Sequence, residues 1–265
     1  MNAAAIGIFD SGIGGLTVFS RIAERMPSEH VVYLGDTARL PYGTKSAETV
    51  VRYSRACARV LLERHIKVLV VACNTASAFG LEALVEELPI PVIGVVKPGA
   101  AAAVARSRSG QIGVIGTAGT IASGAYPRAI RALSPESTVH GAACPLFVPL
   151  AEEGWTEGEV PVAIARRYVT PLLAHGVDTL VLGCTHYPLL AGVIQEAAGS
   201  GVSLVDSAEE TARAVEELLD TQGLRNPARV PGTHRFLVSD APESVMRVGE
   251  RFLGRSLGTV EWVDF

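Results

Sequence analysis

Residues 67–77 read KVLVVACNTAS and residues 178–188 read DTLVLGCTHYP. Each is an apolar run, one small residue, a Cys, and then polar residues: Asn74-Thr75 after Cys73, Thr185-His186 after Cys184. Apolar residues on consecutive positions mark a strand whose two faces are both covered, as in a parallel sheet between helices. The two cysteines stand at an offset of 111. IGIFDSGIGG from Ile6 resembles IGVIGTAGT from Ile112, an offset of 106. VVYLGDTARLPYG and VHGAACPLFVPLAEEG set Pro41 against Pro149, an offset of 108. One such pair would be the ordinary likeness of strand–turn–helix units. Three in order imply two similar lobes about an approximate two-fold axis.

The rest of the chain fits that frame. AIGIF (5–9), HVVYLG (30–35), PVIGVV (91–96), QIGVIG (111–116) and VSLV (202–205) also read as strands. Leu16, Phe19, Ile22, Ala23 and Met26 share a helical face that ends at Pro27. Ser46 to His65 gives a second amphipathic helix, and Ser207 with Glu210 fits a capping box opening a helix to Leu219. Strands alternating with helices predict an α/β fold with right-handed crossovers. The expected architecture is two pseudo-symmetric lobes, each a mostly parallel sheet flanked by helices, with the active site in the cleft between them. The first lobe is expected to take residues 1–97 plus 208–265 and the second 98–207. The tail is expected to carry a helix, a strand near Arg235–Val238 and another helix, and to complete the first lobe.

Composition narrows the function classes. The 265 residues are 48% hydrophobic and 19% charged, with a net charge of −4. Mean hydropathy is +0.31 and the pI about 5.9. Such a chain buries a sizeable core and lacks the basic balance of a nucleic-acid surface. No apolar run is long enough for a membrane span, and MNAAAIGIFDSG lacks a basic leader, so neither a signal peptide nor a membrane partner is expected. Four scattered Cys do not make a disulfide framework, which points to a reducing, cytoplasmic setting.

In open α/β sheets ligands bind beyond the carboxyl ends of the strands. The short polar motifs DSG, PYG, CNT, GTAGT and CTH all fall there, so two facing lobes would line one cleft with them. Cys73 and Cys184 occupy equivalent places, before residues expected to open a helix. Backbone N–H groups and the helix dipole favour an anion there and would lower a thiol pKa. Cys57, inside an amphipathic helix, and Cys144 read as packing residues. Metal binding has little support, since no C-x-x-C or H-x-x-x-H spacing exists. A redox dithiol would usually place its cysteines on one motif. One thiol on each side of a substrate can instead remove a proton from one face of a carbon and return one to the other, which is racemisation by general acid–base catalysis.

Asp10 and Ser11 follow the first strand; a helix cap is the structural alternative. Gly12, Gly14 and Gly15 lack the Lys-Ser/Thr of a phosphate loop and the spacing of a dinucleotide fingerprint. Pro41-Tyr42-Gly43 is a turn brought to the cleft by the repeat. Glu152 lies in the equivalent loop of the second lobe. His186 stands two residues from Cys184, where it could assist proton transfer.

FDSGIGGLTV, YLGDTARLPYG, VACNTAS, CPLFVPLAEEG and LGCTHYPLL together resemble the bacterial glutamate racemases, in order from about residue 6 to about 215. The resemblance implies a cofactor-independent interconversion of L- and D-glutamate that supplies D-glutamate for peptidoglycan. By motif, Cys73 and Cys184 would be the acid/base residues, supported by Asp10, Glu152 and His186. Asp10, Ser11, Tyr42, Gly43, Asn74, Thr75, Thr185 and His186 would contact substrate. Pyridoxal phosphate on a lysine is the alternative chemistry; of Lys45, Lys67 and Lys97, only Lys97 is read at a strand end. An aspartate racemase of the same superfamily is the nearest alternative function, with PYG and CTHYP favouring glutamate. A non-catalytic anion-binding regulator is the competing class. No cofactor, metal or nucleic acid is expected, and the sequence leaves room for a homodimer.

Overall fold

The computed structural model describes residues 3–265; the leader-free reading of the N-terminus extends to Met1 and Asn2, which lie outside them. The first sheet begins with β1 (Ile6–Asp10), α1 (Leu16–Arg25), β2 (Val31–Gly35), α2 (Ala47–Leu62), β3 (Val68–Val71), α3 (Asn74–Glu87) and β4 (Val92–Gly94). Helix α4 (Val96–Arg106) then leads to β5 (Gln111–Gly116), α5 (Ala118–Ala122), α6 (Ala125–Leu133), β6 (Thr138–Ala143), α7 (Phe147–Glu153), α8 (Glu159–Leu173), β7 (Thr179–Gly183), α9 (Ala191–Ala198) and β8 (Ser203–Asp206). Helix α10 (Ser207–Thr221) returns the chain to β9 (His234–Val238), α11 (Pro242–Leu253) and β10 (Val260–Trp262).

Two sheets result, six-stranded in the order β10-β9-β2-β1-β3-β4 and four-stranded in the order β6-β5-β7-β8. All their pairings are parallel. The inner four strands of the first sheet repeat the order of the second, β2-β1-β3-β4 against β6-β5-β7-β8. Register repeats too. Ile6 pairs with Val31 and Val68, and Ile112 pairs with Val139 and Thr179, so the offsets of 106, 108 and 111 carry one set of partners onto the other. The pseudo-two-fold relation read from the motifs is therefore built into the hydrogen-bonded ladders.

Strands β1, β2, β3 and β7 are buried at every position, which explains their unbroken apolar runs. Phe19, Ile22 and Val215 pack one face of the first sheet, and Leu61, Ala76 and Leu84 the other. The second sheet lies between Phe147, Val169 and Ile194 on one side and Ala100, Ala103 and Ile130 on the other. Helix α4, which leaves the first sheet, packs in the core of the second. Helix α10, which leaves the second, packs with α1 on the first. The lobes exchange helices.

Several local expectations are corrected. Residues 91–96 do not all extend: the strand is Val92–Gly94 and Val96 already opens α4, so Lys97 lies in a helix rather than at a strand end. Asp206, not Ser207, caps α10, accepting the Ala208 N–H at 2.8 Å, while Glu210 pairs with Arg106 at 2.7 Å. The tail contributes an unexpected second strand, β10, beside β9. Lys67 is turned to the far end of β3, where it forms a buried pair with Glu29 at 2.5 Å. No helix of the described residues is long and apolar enough to cross a membrane.

Candidate active site

In a sheet ordered 2-1-3-4, the connections leave β1 and β3 in opposite directions, and the carboxyl ends of those two strands form a crevice. Here that crevice occurs twice, face to face. β1 ends at Asp10 and β3 leads to Cys73; β5 leads to Thr117 and β7 to Cys184. Between them lies a cavity of about 310 Å³, at the small end for ligand sites of roughly 300–1,000 Å³. Ser11, Tyr42, Gly43, Cys73, Asn74, Thr75, Glu152, Cys184, Thr185 and His186 all line it. Of the residues singled out in the sequence, Asp10 alone stands behind the wall, fully buried.

The two thiols are equivalent by repeat but differently supported. Cys73 caps α3, its sulfur 3.5 Å from the Ala76 N–H and 3.5 Å from the Ser11 hydroxyl. Its expected low pKa is reversed. Burial, then the Asp10 carboxylate and, less, Cys184 push the thiol up to about 12, outweighing Ser11 and the Ala76 N–H. A helix terminus alone does not make a thiolate in so dry a place.

Cys184 has no α-helix in front of it. A single turn, Tyr187–Leu190, follows, and α9 starts only at Ala191. His186 supplies what that terminus lacks: its Nδ1 lies 3.9 Å from the Cys184 sulfur and its Nε2 2.9 Å from Glu152 Oε1. Burial pulls the imidazole pKa down, yet the bonds to Cys184 and Glu152 raise it to about 10, so the ring is an imidazolium at neutral pH. Glu152 lies in α7 rather than in the loop expected for it.

Asp10 is held for geometry rather than helix capping. Its Oδ2 accepts the Gly12 N–H at 2.9 Å, its Oδ1 accepts the Thr185 hydroxyl at 3.4 Å, and α1 has no side-chain cap. Burial raises its carboxyl pKa and the His186 charge opposes that. Tyr42 lines the wall, but its hydroxyl donates to the buried Asp36 carboxylate and also contacts Cys57, 3.7 Å away. Tyr42 therefore shapes the turn and offers no free hydroxyl. Asn74 accepts from the Tyr126 hydroxyl at 2.7 Å, while its buried Nδ2 finds no hydrogen-bond partner. A donor left unpaired in this way suits an acceptor on a ligand.

Many of these contacts join the lobes. Thr75 of the first meets Thr117 at 2.9 Å and Thr120 at 3.1 Å, and Thr17 donates to the Thr185 carbonyl at 3.1 Å. A Cβ on Gly14 would overlap the Thr185 hydroxyl and the His186 ring; one on Gly43 would come within 2.6 Å of Thr117. The glycine-rich stretch thus permits close approach of the lobes and is not a phosphate cradle. Thr117, Thr120 and Tyr126 were not singled out from the sequence. GTAGT showed a polar strand end, but nothing in it marked a cross-lobe partner.

Among the described residues, no Lys or Arg lines the cavity. Backbone N–H groups, hydroxyls, the Asn74 amide and one imidazolium offer a binding surface for a small anionic molecule, with a sulfur on either side. Among the described residues, no group of three or more His, Cys, Asp or Glu is placed to hold a metal ion.

Two facing parallel sheets, each bringing one thiol to a shared cleft, fit an amino-acid racemase class, and the comparison with known proteins agrees. Residues 6–215 match the Asp/Glu/Hydantoin racemase family, and the chain belongs to it. It is 60% identical over 260 residues to a glutamate racemase of Geobacter metallireducens, covering 98% of this chain and 96% of the relative. Among solved structures, a glutamate racemase of Bacillus anthracis superposes with a TM-score of 0.96 at 40% identity, over 100% of this chain and 99% of the other. A glutamate racemase from Francisella tularensis in complex with D-glutamate gives 0.93 at 35% identity, over 100% and 98%.

Proposed function

We propose that this chain interconverts L- and D-glutamate without a cofactor, with Cys73 and Cys184 as the two acid/base residues. The observation that carries the reading is that two thiols, at positions equivalent by strand register, line one amino-acid-sized cavity from separate lobes. The relatives named glutamate racemase and the Francisella tularensis complex with D-glutamate support the substrate.

In one direction a Cys73 thiolate removes the α-proton and the Cys184 thiol delivers its own proton to the opposite face; in the reverse direction the roles exchange. Cys73 needs help to ionise, because burial and Asp10 oppose it. The ammonium group of the incoming amino acid is a cation suited to that task. Across the cavity, the His186 imidazolium, held by Glu152, offsets the charge on a Cys184 thiolate. Ser11, Asn74, Thr75, Thr185 and the backbone at Tyr42 and Gly43 bind the carboxylates and the negative charge that grows as the proton leaves. The lobes would divide at 97/98 and 207/208. Supply of D-glutamate to peptidoglycan in the cytoplasm is the setting this chemistry fits.

The test is turnover in deuterated water. Wild-type protein should place solvent deuterium at Cα of both enantiomers of glutamate and leave aspartate unracemised. Cys73→Ser and Cys184→Ser should each abolish turnover. Full racemisation by either variant would sink the two-thiol mechanism.

A further inference from the structure

Helix α11 lies in the tail, outside the matched residues 6–215. It nevertheless reaches across to the second lobe at two adjacent residues. Arg251 donates through Nη1 to the Glu152 backbone carbonyl at 2.6 Å. Phe252, only 8% exposed, packs edge-on to the His186 ring, with centroids 5.2 Å apart and planes at 87°. Glu152 and His186 are also the two members of the ion pair behind Cys184. We infer that α11 is a positioning element for that pair, with Phe252 fixing the plane of the imidazole and Arg251 fixing the backbone that carries the carboxylate. The inference rests on the two-thiol reading and names residues that hold the Cys184 side in register.

The geometry explains why such support is needed. The sulfur–Nδ1 separation of 3.9 Å lies at the long end of a hydrogen bond, so a small rotation of the ring breaks it. Besides Cys184 and Glu152, the ring nitrogens meet, among the described residues, only a weak contact, the Thr185 hydroxyl 3.5 Å from Nδ1. Gly14 presses on one side of the ring, and an edge-to-face aromatic contact holds another. The charged or titratable groups facing the ring are Cys184, Glu152 and Asp10, with Arg251 one step away at the Glu152 carbonyl. Arg251 is itself seated against Gly154, just past the end of α7. Phe252 is anchored on the first lobe with Leu16 and Phe19. The imidazole that supports the second lobe's thiol is therefore oriented from the first lobe.

The experiment uses the full chain with three substitutions. Phe252→Leu keeps the site dry while removing the flat face, Phe252→Tyr keeps the ring, and Arg251→Gln removes only an exposed clamp and leaves the fold intact. For Phe252→Leu and Arg251→Gln, kcat should fall by about tenfold, within the ~10²-fold that a misplacement near 1 Å can cost, with KM little changed. In Phe252→Leu the alkaline limb of the pH profile should move down, because the bonds that keep the imidazole protonated are loosened. Phe252→Tyr should restore both properties. With α-deuterated glutamate, slowing the Cys184 step alone should raise the primary isotope effect in one direction of turnover and lower it in the other. Wild-type kcat in both Phe252→Leu and Arg251→Gln, an unmoved alkaline limb, or isotope effects that change equally in both directions would overturn the inference. Cys73→Ser and Cys184→Ser are measured alongside. If either keeps full turnover the two-thiol reading fails; if both are inactive and the α11 variants behave as wild type, only the positioning role fails.

Discussion

Replacing His186 with Asn removes the one cation facing the cavity among the described residues, leaving an amide at the place of Nδ1 that is too short to reach Glu152. The ring is 7% exposed. Burial alone would lower its pKa, so the rise from 6.5 to about 10 measures how strongly Cys184 and Glu152 hold the charged form. At about 1.4 kcal/mol for each pKa unit, the fold holds the imidazolium by about 4–5 kcal/mol. The folded pKa exceeds the unfolded one, so this stabilisation is complete below about pH 6.5 and is lost as pH rises through about 10. In urea melts, His186→Asn should therefore fall well short of wild type near pH 6 and approach it above pH 10. If about half of the interaction is with the thiolate, roughly 2 kcal/mol leaves the Cys184 step, a loss of about 30-fold in kcat. Polarimetric assays across the same pH range should show the wild-type alkaline limb near 10 disappearing in the variant. A stability deficit equal at both ends of the range, or an alkaline limb shared by both proteins, would refute the assignment of the imidazolium.

Other substitutions separate site from scaffold. Asn74→Ala removes the unpartnered Nδ2 at the cavity and should raise KM for glutamate several-fold, read from initial rates, and by taking the acceptor from the buried Tyr126 hydroxyl should cost about 1–3 kcal/mol in urea melts. Lys67→Met strands the Glu29 carboxylate in the core and should cost about 3–5 kcal/mol in urea melts while leaving KM unchanged. Cys57→Ala should keep racemisation in the same assay and lose only about 1 kcal/mol of stability, since its thiol is fully buried and outside the cavity lining.

The alternation of strand and helix was legible because strands buried on both faces write consecutive apolar residues, and because the cysteine motifs repeat at one offset. Ile6 and Ile112 could be matched by eye, and the ladders match them by register. What escaped the sequence is what depends on a partner that no motif announces. The short β10 carries only Val260–Trp262 and is a strand because β9 offers an edge. The Tyr42 hydroxyl turns from the cavity because Asp36 is buried beside it, a partner six residues away with no motif to announce it. The Cys73 pKa has the opposite sign to that expected because a helix terminus is local and visible, whereas burial in the folded core beside Asp10 is neither. Phe252 and Arg251 sit in a stretch with no resemblance to the repeats, so nothing in their spacing pointed to His186.

The exchange of helices between the lobes bears on how the molecule is assembled. Helix α4 belongs by sequence to the first half and by packing to the second, and α10 does the reverse. Neither half of the chain, made alone, could close its own core: a fragment ending before Ser207 would leave bare the face on which Val215 and Leu219 pack. The first half must wait, during synthesis, for a segment more than a hundred residues downstream before its sheet is covered. Cleft and core are completed in the same event, so a chain folded enough to be stable already has its two thiols brought together.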